Sequence, residues 1–168
     1  MQNILLYITF CFLLFSTTSF SIADKENDFQ VNFNIAKQHL SQRNILEAIP
    51  YLHYLHQNYP KNENLKYLLG VCYAEENIVN PISISYLESA TSMTSLEYNP
   101  NSIEENRVPI YVYYYLSIAY AQNGECEKSE HARNQFLEIY PHEDKYYLEE
   151  SKRWINSCKK SEFKVKFD

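Results

Sequence analysis

Val108–Glu125 reads VPIYVYYYLSIAYAQNGE, with five tyrosines in eighteen residues. Taken alone, its aromatic and β-branched content argues for a strand. The spacing of its small residues argues for a helix, because the same spacing recurs along the chain. In Leu116-Ser117-x-x-Tyr120 a small residue sits between a large apolar one and an aromatic, and Ser129 and Pro141 follow Ser117 at two equal steps. Upstream, Ile35-Ala36-x-x-His39 is followed by Ala48 and Pro60 at that same step, taken twice. Leu69-Gly70-x-x-Tyr73 lies one full period after the first copy. Its continuation Ser83-Ile84-Ser85-Tyr86-Leu87 echoes Ala48-Ile49-Pro50-Tyr51-Leu52 after one extra residue.

Helices that cross closely need a small side chain at the crossing. Ala36, Gly70 and Ser117 supply it on the first helix of each copy, and Ala48, Ser83 and Ser129 on the second. Asn123-Gly124 and Ser41-Gln42-Arg43-Asn44 predict tight turns within copies three and one. Tyr59-Pro60 and Tyr140-Pro141 predict where second helices stop, since proline cannot continue a helix and biases its predecessor away from the helical region. Beyond Pro141, Tyr147, Ser151, Trp154, Ile155 and Cys158 fall on one helical face, the pattern of a half-buried closing helix.

The period and the small-residue positions resemble the tetratricopeptide repeat (TPR), two antiparallel helices in a unit of about 34 residues. The resemblance covers residues 29–62, 63–97 and 110–143. It implies an all-α fold: an α-solenoid of three helix pairs with a capping helix over 143–160, together a domain of 24–160, followed by a tail over 161–168. Residues 98–109 (YNPNSIEENRVP) are an irregular insertion between copies two and three, expected as a loop at an edge of the solenoid.

The resemblance also implies a concave groove lined by first helices. Carried over position by position, its lining includes Phe33, Lys37 and Leu40 from copy one, Tyr67, Val71 and Glu75 from copy two, and Tyr111, Tyr114, Ile118 and Gln122 from copy three. That groove is aromatic and nearly uncharged, and rigid rings with a polar tip make effective binding anchors. Tyr113 and Tyr120 take packing positions instead. The run AIPYLHYLHQNYPKNENLKYLLGVCY, then SYLESA, VPIYVYYYLSIAYAQNGECEKS and the closing WINSC look like the N-terminal TPR region of Gram-negative OmpA-like cell-envelope proteins, without their propeller and peptidoglycan-binding domains. That likeness implies a module for protein contact at the envelope.

The stretch from Met1 to Ala23 carries no charge and holds the apolar run Ile4–Phe15, with Ser21-Ile22-Ala23 before Asp24. Small residues at those positions suit signal peptidase, so 1–23 reads as a signal peptide. The run is short for a membrane span of about 20 residues. The expected protein is exported, periplasmic or associated with the envelope, with secretion as the alternative, and has no membrane span after cleavage.

The chain from Asp24 onward holds three cysteines, Cys72, Cys126 and Cys158. Antiparallel packing of the closing helix on the second helix of copy three brings Cys126 and Cys158 together, and an oxidising compartment permits a disulfide. Three buried thiols fit the odd count equally.

A formal net charge of −6 without a basic block argues against nucleic acid as partner. His53 and His56, three apart on a helix, lack an evident third ligand, so no metal site is expected. Adjacent acids such as Glu75-Glu76 read as solvated faces. With no catalytic constellation and no phosphate-binding glycine loop, the expectation is a binding module rather than an enzyme, needing no cofactor. Its partner is a protein or peptide held in the groove; the alternative is a permanent structural subunit of an envelope or secretion assembly.

Overall fold

The computed structural model describes residues 25–78, 81–140 and 145–165, so the 1–23 leader lies outside the described residues. Among them, seven α-helices follow one another: α1 (25–41), α2 (Ile45–Asn58), α3 (Glu63–Glu75), α4 (Pro81–Ala90), α5 (Tyr111–Gln122), α6 (Cys126–Ile139) and α7 (Lys145–Val165). A single 3-10 turn, Thr91–Met93, extends α4. The described residues form no strand, only an isolated parallel bridge between Thr94 and Val108. No helix among them is long and apolar enough to cross a membrane.

The quoted stretch is helical. Residues Tyr111–Gln122 form α5, and the β-propensity of its tyrosines yields to burial of nearly the whole turn-by-turn surface. The internal recurrence reappears as backbone geometry. Arg43, Asn77 and Gly124 all adopt positive φ, at 59°, 51° and 78°. At each, the following amide closes the same bond onto the preceding helix: Asn44 to His39 O (2.9 Å), Ile78 to Tyr73 O (3.0 Å) and Glu125 to Tyr120 O (2.9 Å). These are three copies of one left-handed helix stop, satisfying carbonyls that the helix end leaves open. The prolines act as read: Tyr59 closes α2, and Tyr140, in extended conformation before Pro141, closes α6.

The small residues sit at the crossings. Ala36, Ala48, Ser83, Ser117 and Ser129 are fully buried, and Gly70 packs on Leu87 of its partner helix. In the third pair Ser129 Oγ donates to Ser117 O at 2.6 Å, so the crossing is tied by a hydrogen bond as well as by close approach. Around these crossings lies a continuous core. Phe29 and Phe33 of α1 meet Leu52 and Leu55 of α2 and Leu65 and Leu69 of α3. Leu87 then meets Val112, Leu116 and Ala119 of α5.

Two departures from expectation have clear causes. The irregular segment starts earlier than Tyr98, at Thr94, and lies across α1 and α3 rather than at an edge. Its two ends are joined where Ser95 N–H donates to Val108 O and Val108 N–H to Met93 O, both at 2.8 Å. Its centre is organised by Glu105, only 4% exposed, whose carboxylate accepts from Arg107 Nε (2.9 Å), Arg107 Nη2 (3.0 Å) and the amides of Asn99 (2.7 Å) and Arg107 (2.9 Å). The Arg107 guanidinium, helped by the two amides, holds that carboxyl down at about 2 against the opposing effect of burial. Asn106 Oδ1 then caps α3 by accepting from Glu63 N–H at 2.7 Å, and Tyr98 OH donates to Asn64 Oδ1 at 3.2 Å.

The second departure is at the C-terminus. The helix α7 runs to Val165, past Lys160, where a tail was expected to begin. No glycine or proline interrupts Ser161–Val165, so nothing stops the helix there. Its apolar face is the expected one, with Ser151, Ile155 and Cys158 buried. Cys126 and Cys158 form a disulfide with their Cα atoms 5.7 Å apart, while Cys72 is a free, buried thiol.

Candidate functional site

Most of the residues carried over as groove lining fall into two covered groups. The first is covered from within. Phe33 and Tyr67 are 3% and 8% exposed, and the segment 94–110 lies over them. The ring of Tyr98 meets that of Tyr67 edge-on at 6.4 Å, and Ile103 packs against the cluster that holds Phe33. Lys37 reaches the same segment, donating to Pro100 O at 2.6 Å and to Asn101 Oδ1 at 3.3 Å. One part of the first-helix face is thus occupied by the chain's own irregular segment.

The second group is covered by α7. Tyr114 and Ile118 are 3% and 6% exposed, because α7 packs on α5 and brings Tyr147 to 4.9 Å from Tyr111 and 5.0 Å from Tyr114, ring to ring. Phe136 closes the cluster from α6, 5.8 Å from each of Tyr111 and Tyr114. Tyr111 OH donates to Tyr140 OH at 3.3 Å. Burial raises the Tyr114 phenol well above its ordinary value. Gln122 spends its Nε2 on Ala74 O at 2.8 Å, bracing α5 against α3. Tyr111 and Tyr114 are therefore packing residues first, and the open aromatic groove expected around them is closed.

What remains open is a cleft of ≈ 450 Å³ between the C-terminal ends of α1 and α3 and the aromatic surface of α5 and α7. Leu40 and Arg43 stand on one wall, and Val71, Glu75 and Glu76 line the floor. Tyr114, Tyr115, Tyr146 and Tyr147 form the other wall. Of the groove residues expected, Leu40, Val71, Glu75 and Tyr114 line it, and Phe33, Lys37, Tyr67, Tyr111, Ile118 and Gln122 do not. Tyr115 OH donates to Glu75 Oε1 at 3.0 Å. Burial, with the neighbouring Tyr67 and Glu75, pushes that phenol far up, so it stays a donor across the whole physiological range. Glu75 and Glu76 line the cleft without an ion pair to Arg43 among the described residues.

Sequence reading alone missed Arg43, Tyr146 and Tyr147. A signal was available for the last two: a closing helix that shields α5 must present its first turn to Tyr111 and Tyr114, and Tyr146-Tyr147 is the aromatic pair in that turn. Arg43 carried no such sign: it lies in the turn after α1, at φ 59°, and lines the cleft.

His53 and His56 do not converge with a third ligand. His53 Nε2 pairs with Tyr73 OH at 2.7 Å, and the His56 ring meets Tyr86 edge-on at 5.3 Å. Among the described residues no three His, Cys, Asp or Glu side chains are grouped to hold a metal. Compared with known family models and with curated proteins, the chain matches none.

Proposed function

We propose that the chain is an exported, tetratricopeptide-type interaction module that docks a segment of a partner protein at the cell envelope. The observation that carries the reading is the cleft. Helices α1, α3, α5 and α7, the first helix of each pair and the closing helix, contribute side chains to one concavity, and four tyrosines form its wall. Concave sites lined by rings and a few polar groups are where partners are usually held. The same helix stop at Arg43 and at Asn77, one period apart, supports the repeat reading.

The module works by binding, without a cofactor, and its partner is protein rather than nucleic acid, which the net charge of −6 supports. Export rests on the 1–23 leader. A permanent structural role in an envelope or secretion assembly is the second reading, favoured by the filled half-groove and by Leu96 and Leu46, 79% and 58% exposed away from the cleft.

The test is a pull-down from the envelope fraction comparing the native chain with Val71→Arg, which fills the cleft floor, and with Leu96→Ser. Loss of the same partner in Val71→Arg alone, with an unchanged circular dichroism melt, is the expected result. A partner retained by Val71→Arg and lost by Leu96→Ser overturns cleft docking in favour of the second reading.

A further inference from the structure

We infer that the cleft is an acceptor for a cationic side chain, so that the docked partner segment presents a lysine or arginine between the Glu75–Glu76 carboxylates and the tyrosine wall. The inference rests on the docking reading above and narrows it to a partner chemistry.

Three observations carry it. The first concerns shape and backbone. Residues 98–103 already lie on the neighbouring half of the same helix face, with Tyr98 on Tyr67 and the Pro100 carbonyl on Lys37. The first-helix surface thus accommodates another, irregular stretch of chain, and the cleft adjoins it toward α7.

The second is charge. Glu75 and Glu76 are two acids on the floor with no ion pair among the described residues, in a chain of net charge −6. One Glu75 oxygen is oriented by Tyr115 OH, leaving the other to accept from an incoming donor. Arg43, on the opposite wall, is exposed and joins neither acid, so it does not neutralise the floor from within.

The third is the wall itself. Tyrosine rings attract a cation to their faces, and the attraction grows as the site excludes water. Carboxylates on one side with rings on the other select a long cationic side chain over an isosteric apolar one. An acidic side chain meets repulsion from Glu75 and Glu76 instead.

The inference is tested with three fluorescein-labelled peptides, Ser-Gly-Tyr-Xaa-Pro-Ser-Gly, in which Xaa is arginine, norleucine or glutamate, titrated by fluorescence polarisation against the native protein and two variants. The expected result is that the arginine probe binds about tenfold more tightly than norleucine, more weakly in high salt, and that the glutamate probe binds least. Glu75→Gln with Glu76→Gln removes the arginine preference while leaving the melt unchanged, since a glutamine oxygen still accepts from Tyr115. Tyr146→Ala weakens all probes that bind. Equal binding of arginine and norleucine, both weakened by Tyr146→Ala, overturns the cationic selectivity and leaves cleft docking standing. A preference that survives the double glutamine variant, or an arginine probe that does not bind, also overturns it. Docking itself falls only on the pull-down with Val71→Arg.

Discussion

Gly70 faces Leu87 so closely that a methyl group on Gly70 would stand 2.5 Å from Leu87 Cγ and 2.8 Å from Cδ2. The crossing of α3 and α4 exists because position 70 has no side chain. In an exposed helix, glycine to alanine gains about 1 kcal/mol of helix propensity. Here overpacking against a fully buried leucine costs about 1 to 3 kcal/mol and exceeds that gain. Gly70→Ala is expected to lower unfolding free energy in urea by about 1 kcal/mol. In a Leu87→Ala background the same change should be neutral or stabilising; persistence of the penalty there would show that the clash is not its cause.

Gly124 is glycine for a different reason. A methyl group there meets nothing within 4 Å, but the backbone is left-handed at φ 78°. Gly124→Ala should cost about 1 kcal/mol through backbone strain alone. Unlike Gly70→Ala, it should show no dependence on Leu87 in a double-mutant cycle.

The Cys126–Cys158 bond closes a loop of sequence separation 32. Chain-entropy arguments assign such a closure about 3 to 4 kcal/mol. Reduction, or Cys126→Ala with Cys158→Ala, should lower stability by that order and loosen α7 first. Hydrogen exchange would detect this as faster exchange in Lys145–Val165 than in α3. Uniform loss of protection across the chain would contradict the localisation.

Cys72 should behave oppositely to an exposed thiol. Burial first, then Glu75 and Glu76, pushes its thiol up to about 12, so almost no thiolate forms at neutral pH. An aromatic disulfide reagent should leave Cys72 unmodified in the native protein and label it after unfolding in denaturant. Rapid native labelling would mean that α3 opens readily.

Acid should destabilise the fold in two steps. His53 and His56 are held below their ordinary value chiefly by burial, His53 against Tyr73 and Tyr86 and His56 against Tyr86 with Lys66 and Glu63 nearby. The buried Nδ1 of His56 has no acceptor for a second proton. A depressed histidine leaves the native state less protonated than the unfolded chain, so stability is lost as pH falls below about 6.5. Glu105, held at about 2, contributes stability above its ordinary value and loses it as pH drops toward 2. Melting curves across pH should show the upper step vanish in His53→Gln with His56→Gln and the lower one in Glu105→Gln. A lower step unchanged in Glu105→Gln would assign it to other carboxylates.

The repeated pairs were legible in sequence because their determinants are local and periodic. Ala36, Gly70 and Ser117 mark crossings, and Pro60 and Pro141 mark ends, each through a constraint that acts within a few residues. The site was less legible because it depends on segments far apart in the chain. The burial of Tyr114 comes from Tyr147, and the covering of Lys37 comes from Pro100, 63 residues away. Position within the recurring unit marks which side chains lie on the first-helix face. It carries no information on what an insertion or a closing helix will lay over them. Glu75 was reached by its position in the recurring unit and does line the cleft, whereas its hydrogen bond from Tyr115 of α5 could not be read from position alone.

A linear stack of helix pairs folds by nearest-neighbour contacts and can unravel from either end. Residues 94–110 change that, since they bind Lys37 of the first pair and Asn64 of the second while being covalently continuous with α5 of the third. They can dock only once the first two pairs stand side by side, and their docking in turn holds the pairs together. The segment is thus a long-range clasp, expected to make α1, α3 and α5 unfold together, which probes placed on each helix would read as coincident melts.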